Sequence, residues 1–349
     1  MARLSVIVPV YNVDKYIDRC LESLVCQSLS DIEILCVNDG STDGSPARLR
    51  KWADRDGRIH VVSKPNGGLS SARNVGISKA SAKYVCFVDS DDRLYANACE
   101  DIVRMMDESD ADVLTFGATC VPSEAVTSWL YDVLSPRNIT YDGFDLDILF
   151  RESSRPFAWR MACNTDFLRV NNILFDEDVR FGEDQIFCFA VYPRASKIRF
   201  SSMKLYEYLA ARPGSLMDRM NADICAKMLE HVNIVDHIFS DWNNLGILDG
   251  YAEQMMRWAI DFCLYELIRV PQDKFLEVTD KLGAVLRSYI PIEYVKRVED
   301  KVDRAYLNNL LQPGDTNLIR RKCSAIRFYE RRFLKRFVYR WALTDWYLK

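Results

Sequence analysis

A chain of 349 residues with 49% hydrophobic and 28% charged residues has the length for one large α/β domain with an appendage, or for two domains. Its composition excludes both a disordered chain and one embedded in a bilayer. The formal net charge of −4 is unevenly placed, because residues 320 to 349 hold ten Lys or Arg against Glu330 and Asp345 and leave an acidic body. An acidic body with no nucleic-acid-binding motif argues against nucleic acid as a partner, and the basic end marks a contact surface.

The first part of the chain alternates short β-rich runs with helical periods. Strands are predicted over 4–8, 32–37, 59–63 and 84–88. Between the first two, Ile17, Leu21, Leu24 and Val25 recur at helical spacing, and Ser45-Pro46 reads as the cap and first position of the next helix. This is the pattern of a mostly parallel sheet covered by helices, whose ligand crevice lies outside the carboxyl ends of its strands. Four loops should meet there: Pro9-Val-Tyr-Asn12, Asn38 to Gly44, Lys64 to Asn74, and Asp89-Ser-Asp-Asp92. A strand at 112–117 follows, then an irregular stretch containing Trp159, an apolar helix opened by Gly182-Glu-Asp-Gln185, and strands near 197 and 205. Beyond Gly214 long helical periods run over 221–240, 249–269, 273–288 and 291–311, punctuated by Pro271, Pro291 and Pro313.

Within the loops, Asp89 and Asp91 are alternate residues leaving a strand, so both reach toward one cation. Hard oxygen ligands of this kind suit Mg2+ or Mn2+, which keep waters and bind substrate phosphates. The same acids also fit a helix cap and solvated turn residues. Asp39 is placed to accept hydrogen bonds from a base or sugar, or to cap its own turn; Tyr11 offers a flat face to a nucleobase, or packs. Gly67 and Gly68 allow close backbone approach to a ligand, and Arg73 can meet a phosphate or orient the metal-binding carboxylates. Neither a dinucleotide fingerprint nor a Walker-type loop occurs. The eleven cysteines are scattered with no Cys-x-x-Cys pair, and His60, His231 and His237 form no zinc pattern. Reduced, packed thiols and a cytoplasmic location are expected, and without a signal peptide or an apolar span of about 20 residues any membrane role is peripheral.

In order and spacing, Pro9 to Asn12, Asp39 to Asp43, Asn66 to Ile77 and Asp89 to Asp92 resemble the family 2 glycosyltransferases with a GT-A fold, especially bacterial enzymes of capsule, exopolysaccharide and lipid-linked glycans. The resemblance continues through Trp159-Arg160, Phe175, Gly182-Glu183-Asp184, Tyr206 to Tyr208 and Arg212 to Leu216. It implies a GT-A domain over 1–216, while the helical periods and the charge pattern beyond it give a helical domain over 217–315 and a basic aromatic tail over 316–349. It also implies that Asp184 is the catalytic base and that a UDP-sugar lies among Pro9, Tyr11, Asn12, Asp39, Asn66, Gly67, Gly68, Arg73, Asp89 and Ser90, with uracil between Tyr11 and Asp39. Asp91 and Asp89 would hold Mn2+ or Mg2+, and Trp159, Glu183, Arg212 and Ser215 would face the acceptor or diphosphate. Transfer would invert the anomeric centre. Two positions depart from the family pattern: Asn38 where many relatives carry an acid, and Arg160 near a common lysine. At Asp184 the helix start favours the ionised form and restrains its basicity.

The tail interleaves cations with Ile326, Phe328, Phe333, Phe337 and Trp341. That pattern fits a helix lying on the anionic inner face of the cell membrane, which would bring a polyprenyl-linked glycan acceptor within reach. It equally fits a helix packed on the body or on a second copy of the chain. A sugar nucleotidyltransferase would share the sheet and the metal carboxylates, but it needs a Gly-rich loop bearing Arg and Lys where Pro9 to Asn12 stands. A catalytically silent sugar-binding scaffold would have no use for both Asp91 and Asp184.

Overall fold

The structure is a computed structural model and describes residues 1–210, 212, 220, 223–264, 270–298, 300–311, 317, 320–328 and 330. It divides into two compact units, Met1–Arg212 and Pro213–Lys349.

The first unit is a nine-stranded sheet of strands β1 (Leu4–Val10), β2 (Ile32–Asp39), β3 (Ile59–Lys64), β4 (Tyr84–Phe87), β5 (Arg93–Leu94), β6 (Val113–Val121), β7 (Ile139–Tyr141), β8 (Met161–Asn164) and β9 (Ile198–Leu209). Their order is β3-β2-β1-β4-β8-β6-β9-β5, with β7 on β9. The β3-β2-β1-β4 portion is parallel, and β8 runs antiparallel to both β4 and β6. Every residue of β1 and β2 is buried, as expected of parallel strands covered on both faces. The two strands expected near 197 and 205 are one strand, β9, and the shift in its pairing with β6 beside Phe116 and Gly117 accounts for the broken pattern.

The covering helices are α1 (Ile17–Val25), α2 (Ser45–Ala53), α3 (Leu69–Lys79), α4 (Ala98–Ser109), α5 (Ser128–Val133), α6 (Leu146–Phe150), α7 (Thr165–Val170) and α8 (Glu183–Val191). In α1 the buried residues are Ile17, Cys20, Leu21 and Leu24, one face of a helix. Ser45 is the first residue of α2 rather than its cap; Asp43 Oδ1 accepts its N–H at 2.9 Å, while its own hydroxyl accepts the N–H of Val13 at 3.0 Å. In α3, Gly76 lies so close to β1 that a Cβ there would meet three side-chain carbons of Ile7 at 3.0 Å or less. A glycine that weakens the helix on its own is thus what lets α3, with Arg73, lie against the sheet.

The second unit contains α9 (Ile224–Asn244), α10 (Ala252–Leu264), α11 (Gln272–Tyr289), α12 (Glu293–Arg297) and α13 (Lys301–Leu311). The helical period expected over 291–311 is broken at Val298 into α12 and α13. α9 packs on α10 and α11, and α11 on α13, around buried Trp242, Trp258, Val278 and Leu282. Residues 320–328 are helical and belong to this core: Ala325 and Phe328 are buried, Phe328 stacks on Tyr306 at 4.8 Å, and Arg321 pairs with Asp280 at 2.6 Å. Among the aromatics of the proposed membrane helix, Phe328 therefore packs on protein, whereas Phe333, Phe337 and Trp341 lie outside the described residues. No helix among the described residues is long and apolar enough to cross a membrane. No disulfide joins the cysteines among the described residues, most of them are buried, and burial pushes the thiols of Cys36 and Cys86 up to about 12.

Candidate active site

The carboxyl ends of β1, β2 and β4 bring the first loops together. Pro9 is buried within β1 opposite Val37, and the chain leaves the strand with Tyr11 47% exposed. Asn12, at φ 50°, joins the first two loops: its Oδ1 accepts the N–H of Thr42 at 2.8 Å and its own N–H donates to Ser41 Oγ at 3.1 Å.

Asp39 ends β2 directly opposite Lys64 of β3, and Lys64 Nζ lies 2.6 Å from its Oδ1. The same carboxylate accepts the N–H groups of Gly67 at 2.9 Å and Gly68 at 2.8 Å, and Asn66 Nδ2 donates to the Asp39 carbonyl at 3.0 Å. Gly68 takes φ 92°, open to glycine at little cost, and this turns both amides onto the acid just before α3 begins. Asp39 thus shapes the glycine loop, the turn-capping alternative left open by the sequence, and it is 2% exposed. Asn38 is tied to the frame, with Oδ1 accepting from Ser41 N–H at 3.1 Å and Nδ2 reaching Ser63 Oγ at 3.3 Å.

Arg73, 1% exposed, is the hub of the site. One terminal nitrogen donates to Glu183 at 2.8 Å and to Asp184 at 2.9 Å, and the other donates to Asp89 at 2.9 Å. Its guanidinium lies 4.9 Å over the Phe175 ring, which stacks in turn on Phe187 of α8 at 4.0 Å. Of the two roles open to Arg73 from the sequence, this geometry supports the orientation of carboxylates. Asp91 meets a second cation, Arg212 Nε at 2.6 Å, and the Arg212 guanidinium sits 5.3 Å over the Tyr16 ring.

Asp92 faces inward. The Tyr206 hydroxyl donates to its Oδ2 at 2.7 Å while accepting the Asp89 N–H at 3.1 Å, and Leu209 N–H donates to Asp92 Oδ1 at 2.7 Å. Ser90, between the two acids, is 6% exposed. Trp159, expected on the acceptor side, is 2% exposed and stacked on Tyr206 at 4.3 Å and Tyr208 at 5.3 Å, so it backs the site instead of lining it. Arg160 is fully buried on the carbonyls of Val133, Ser153 and Pro156. Ser215 lies outside the described residues.

Lys64, Tyr206 and the Arg212–Asp91 pair were not assigned these parts from the sequence. The first was legible in principle, since it ends the strand beside the one that Asp39 ends. The other two bring together residues more than a hundred positions apart.

Four carboxylates, Asp89, Asp91, Glu183 and Asp184, therefore meet two guanidiniums, Arg73 and Arg212, and Asp92 feels the charges of Asp91 and Asp89 from behind. Burial, then the Asp89 charge, raises the Asp91 pKa; burial, then Asp91, raises Asp92 further. Burial also raises Asp184, against the pull of Arg73, and burial with the Asp184 charge pushes Glu183 up to about 7. The helix-start effect expected to restrain Asp184 is thus outweighed by loss of water. Asp89 and Asp91, the residues expected to hold a divalent cation, each meet a guanidinium, Arg73 and Arg212, and among the described residues no group of three or more His, Cys, Asp or Glu side chains is gathered as a metal site.

This chain is similar to known proteins across both its first unit and its whole length. The sequence profile of Glycosyl transferase family 2 matches residues 5–162. The glycosyltransferase GlyG of Streptococcus pneumoniae is 32% identical over 224 residues, which cover 61% of this chain and 72% of GlyG. The chain belongs to glycosyltransferase family 2. The uncharacterized glycosyltransferase EpsJ of Bacillus subtilis is 35% identical over 217 residues, 62% of this chain and 63% of EpsJ. The poly(ribitol-phosphate) beta-N-acetylglucosaminyltransferase TarS of Staphylococcus aureus is 30% identical over 220 residues, 62% of this chain and 37% of TarS. The crystal structure of TarS 1–349 in complex with UDP-GlcNAc superposes with a TM-score of 0.75, covering 94% of this chain and 92% of that one at 22% identity, which establishes the shared GT-A fold. The chain thus matches less than two thirds of the length of EpsJ and of TarS.

Proposed function

We propose that this glycosyltransferase moves a sugar from a UDP-sugar to a hydroxyl of a glycan acceptor, with inversion at the anomeric carbon and with Asp184 as base. The observation that carries the reading is the buried Arg73 guanidinium, which holds Asp89, at the end of β4, and Asp184, at the start of α8, on its two terminal nitrogens. The donor side and the base side are thereby fixed to one rigid group. The UDP-GlcNAc bound by TarS supports a UDP-sugar as donor.

In this reading Tyr11 stacks on uracil, and the loop of Asn66, Gly67 and Gly68, shaped by Asp39, approaches the donor through its backbone. Asp184 accepts the proton of the acceptor hydroxyl as that oxygen bonds to the anomeric carbon and the bond from that carbon to the diphosphate oxygen breaks. A single displacement of this kind inverts the centre. Asp91 and Asp89 would hold Mn2+ or Mg2+, which when bound supplies positive charge for the departing diphosphate. Arg212 adds fixed positive charge beside Asp91, and Glu183 shares Arg73 with the base. No second carboxylate is required as leaving-group acid, unlike the pair of a glycoside hydrolase.

A cell-surface polysaccharide, built on a polyprenyl-linked acceptor at the inner face of the membrane, is the proposed setting, and the cationic end of the chain supports it. A panel of nucleotide sugars screened for UDP release, with and without membrane lipid extracts, tests the reading. Asp184→Asn should keep UDP affinity and lose transfer by at least about 100-fold. Near wild-type transfer by that variant would remove Asp184 as base, and release of diphosphate from a sugar phosphate and a nucleoside triphosphate would favour a nucleotidyltransferase. Excess EDTA should abolish turnover and added Mn2+ restore it; undiminished turnover would remove the metal.

A further inference from the structure

Trp129 is 52% exposed and is the exposed tryptophan among the described residues. It stands in the first turn of α5, which is capped by Thr127 Oγ1 accepting the Leu130 N–H at 3.1 Å, so its backbone is held firmly. The ring lies 6.3 Å from Phe157, and Phe157 stacks on Trp159 at 4.9 Å. Phe157 takes φ 72°, a left-handed conformation that bulky side chains rarely adopt, and such strain persists where surrounding structure enforces it, often at ligand sites. The next residue, Ala158, brings its backbone amide near the Asp184 carboxylate. An aromatic path thus leads from the proposed base through the strained 157–159 turn to an open indole face. Tyr208, half-buried, closes the inner end of this path, 6.0 Å from Phe157.

We propose that Trp129, backed by Phe157, is a stacking platform for a pyranose ring of the acceptor glycan. Pyranoses present a face of C–H groups with hydroxyls at the rim, which suits a flat, electron-rich ring whose surroundings stay wet, and rigid aromatics orient ligands at small entropic cost. The proposal rests on the glycosyl-transfer reading for its acceptor, and it assigns the platform to α5, in a segment that carried no readable sequence motif. Tyr131 provides an internal control: it is 63% exposed on the same helix, two positions on and so on another side, with Lys204 Nζ 6.0 Å over its ring.

The test is saturation-transfer NMR on the full chain with methyl β-D-glucopyranoside and methyl N-acetyl-β-D-glucosaminide, in the presence of UDP and diamagnetic Mg2+. Wild type should pass saturation to the ring C–H protons of at least one of the two. Trp129→Ala should weaken that binding by about 2- to 10-fold, the worth of one aromatic contact, while Trp129→Phe keeps most of it and Tyr131→Ala keeps all of it. UDP affinity, measured calorimetrically, should be the same in every variant. Wild-type pyranoside binding by Trp129→Ala, or no transfer to either glycoside from wild type, would overturn the platform. So would a variant that keeps the glycosides but loses binding to phosphatidylglycerol vesicles, which would make the indole a lipid contact. Failure of wild type to bind UDP would instead count against the donor reading, and the glycoside result would still judge Trp129.

Discussion

Arg73 shows how one side chain holds a site together. It is 1% exposed and meets Asp89, Glu183 and Asp184, so removing it leaves three acids without their shared cation. Arg73→Met should cost about 3–5 kcal/mol, the usual effect of breaking a buried charge pair, read as a lowered urea midpoint at unchanged slope. The same cluster predicts a pH response. As the proposed base, Asp184 must be ionised to take a proton, and its pKa is raised, mainly by burial, so the decline of transfer with falling pH should begin above the ordinary carboxylate range. Glu183 is pushed up to about 7 by burial and by the Asp184 charge, so Asp184 is the first of the two to ionise and does so beside a neutral Glu183. Glu183→Gln, which mimics that neutral neighbour, should therefore leave the acid limb of kcat/KM near its wild-type position, and a clearly shifted limb would contradict this order of ionisation. The types of these residues and their order were legible in the chain; their meeting on one guanidinium was not, because α8 lies more than a hundred residues beyond α3.

Helix α3 carries Arg73 to that meeting, and its distance from β1 is set by Gly76. Gly76→Ala would place a Cβ against Ile7, and neither the sheet nor a buried isoleucine yields easily in a close-packed interior. Overpacking of this kind should destabilise the chain by about 1–3 kcal/mol despite the better helix propensity of alanine, measurable as a lower thermal midpoint. A midpoint at or above wild type would mean that α3 shifts freely. Strands β1 to β4 followed the sequence closely because continuous apolar runs of four to eight residues bounded by turn formers have few other uses. The single β9 and the break between α12 and α13 did not, since a shift in strand pairing and a helix end at Val298 depend on what packs alongside.

Across the molecule, charge and packing divide the cationic end. Arg321, Ala325 and Phe328 are buried in the helical unit, so a truncation that removes them would disrupt that core and report on folding. Deletion of residues 331–349, which leaves these contacts in place, is the cleaner test of a membrane contact. It should lower partition onto vesicles containing phosphatidylglycerol, with the loss greatest at low ionic strength, where screening is weakest. Equal partition by the shortened chain would remove the membrane role of that segment.

The sequence by itself determined the alternation of strands and helices, the four loops gathered at the carboxyl edge of the sheet, and the family resemblance. Each of these is written in local periodicity or in motifs of a few adjacent residues. Only the tertiary structure decided that Asp39 turns inward to Lys64 and the glycine amides, that Asp92 is bound by Tyr206, that Trp159 is packed away, and that burial overrides the helix start in raising Asp184. Those outcomes depend on desolvation and on partners distant in the chain, and neither is a property of a residue type or of its spacing.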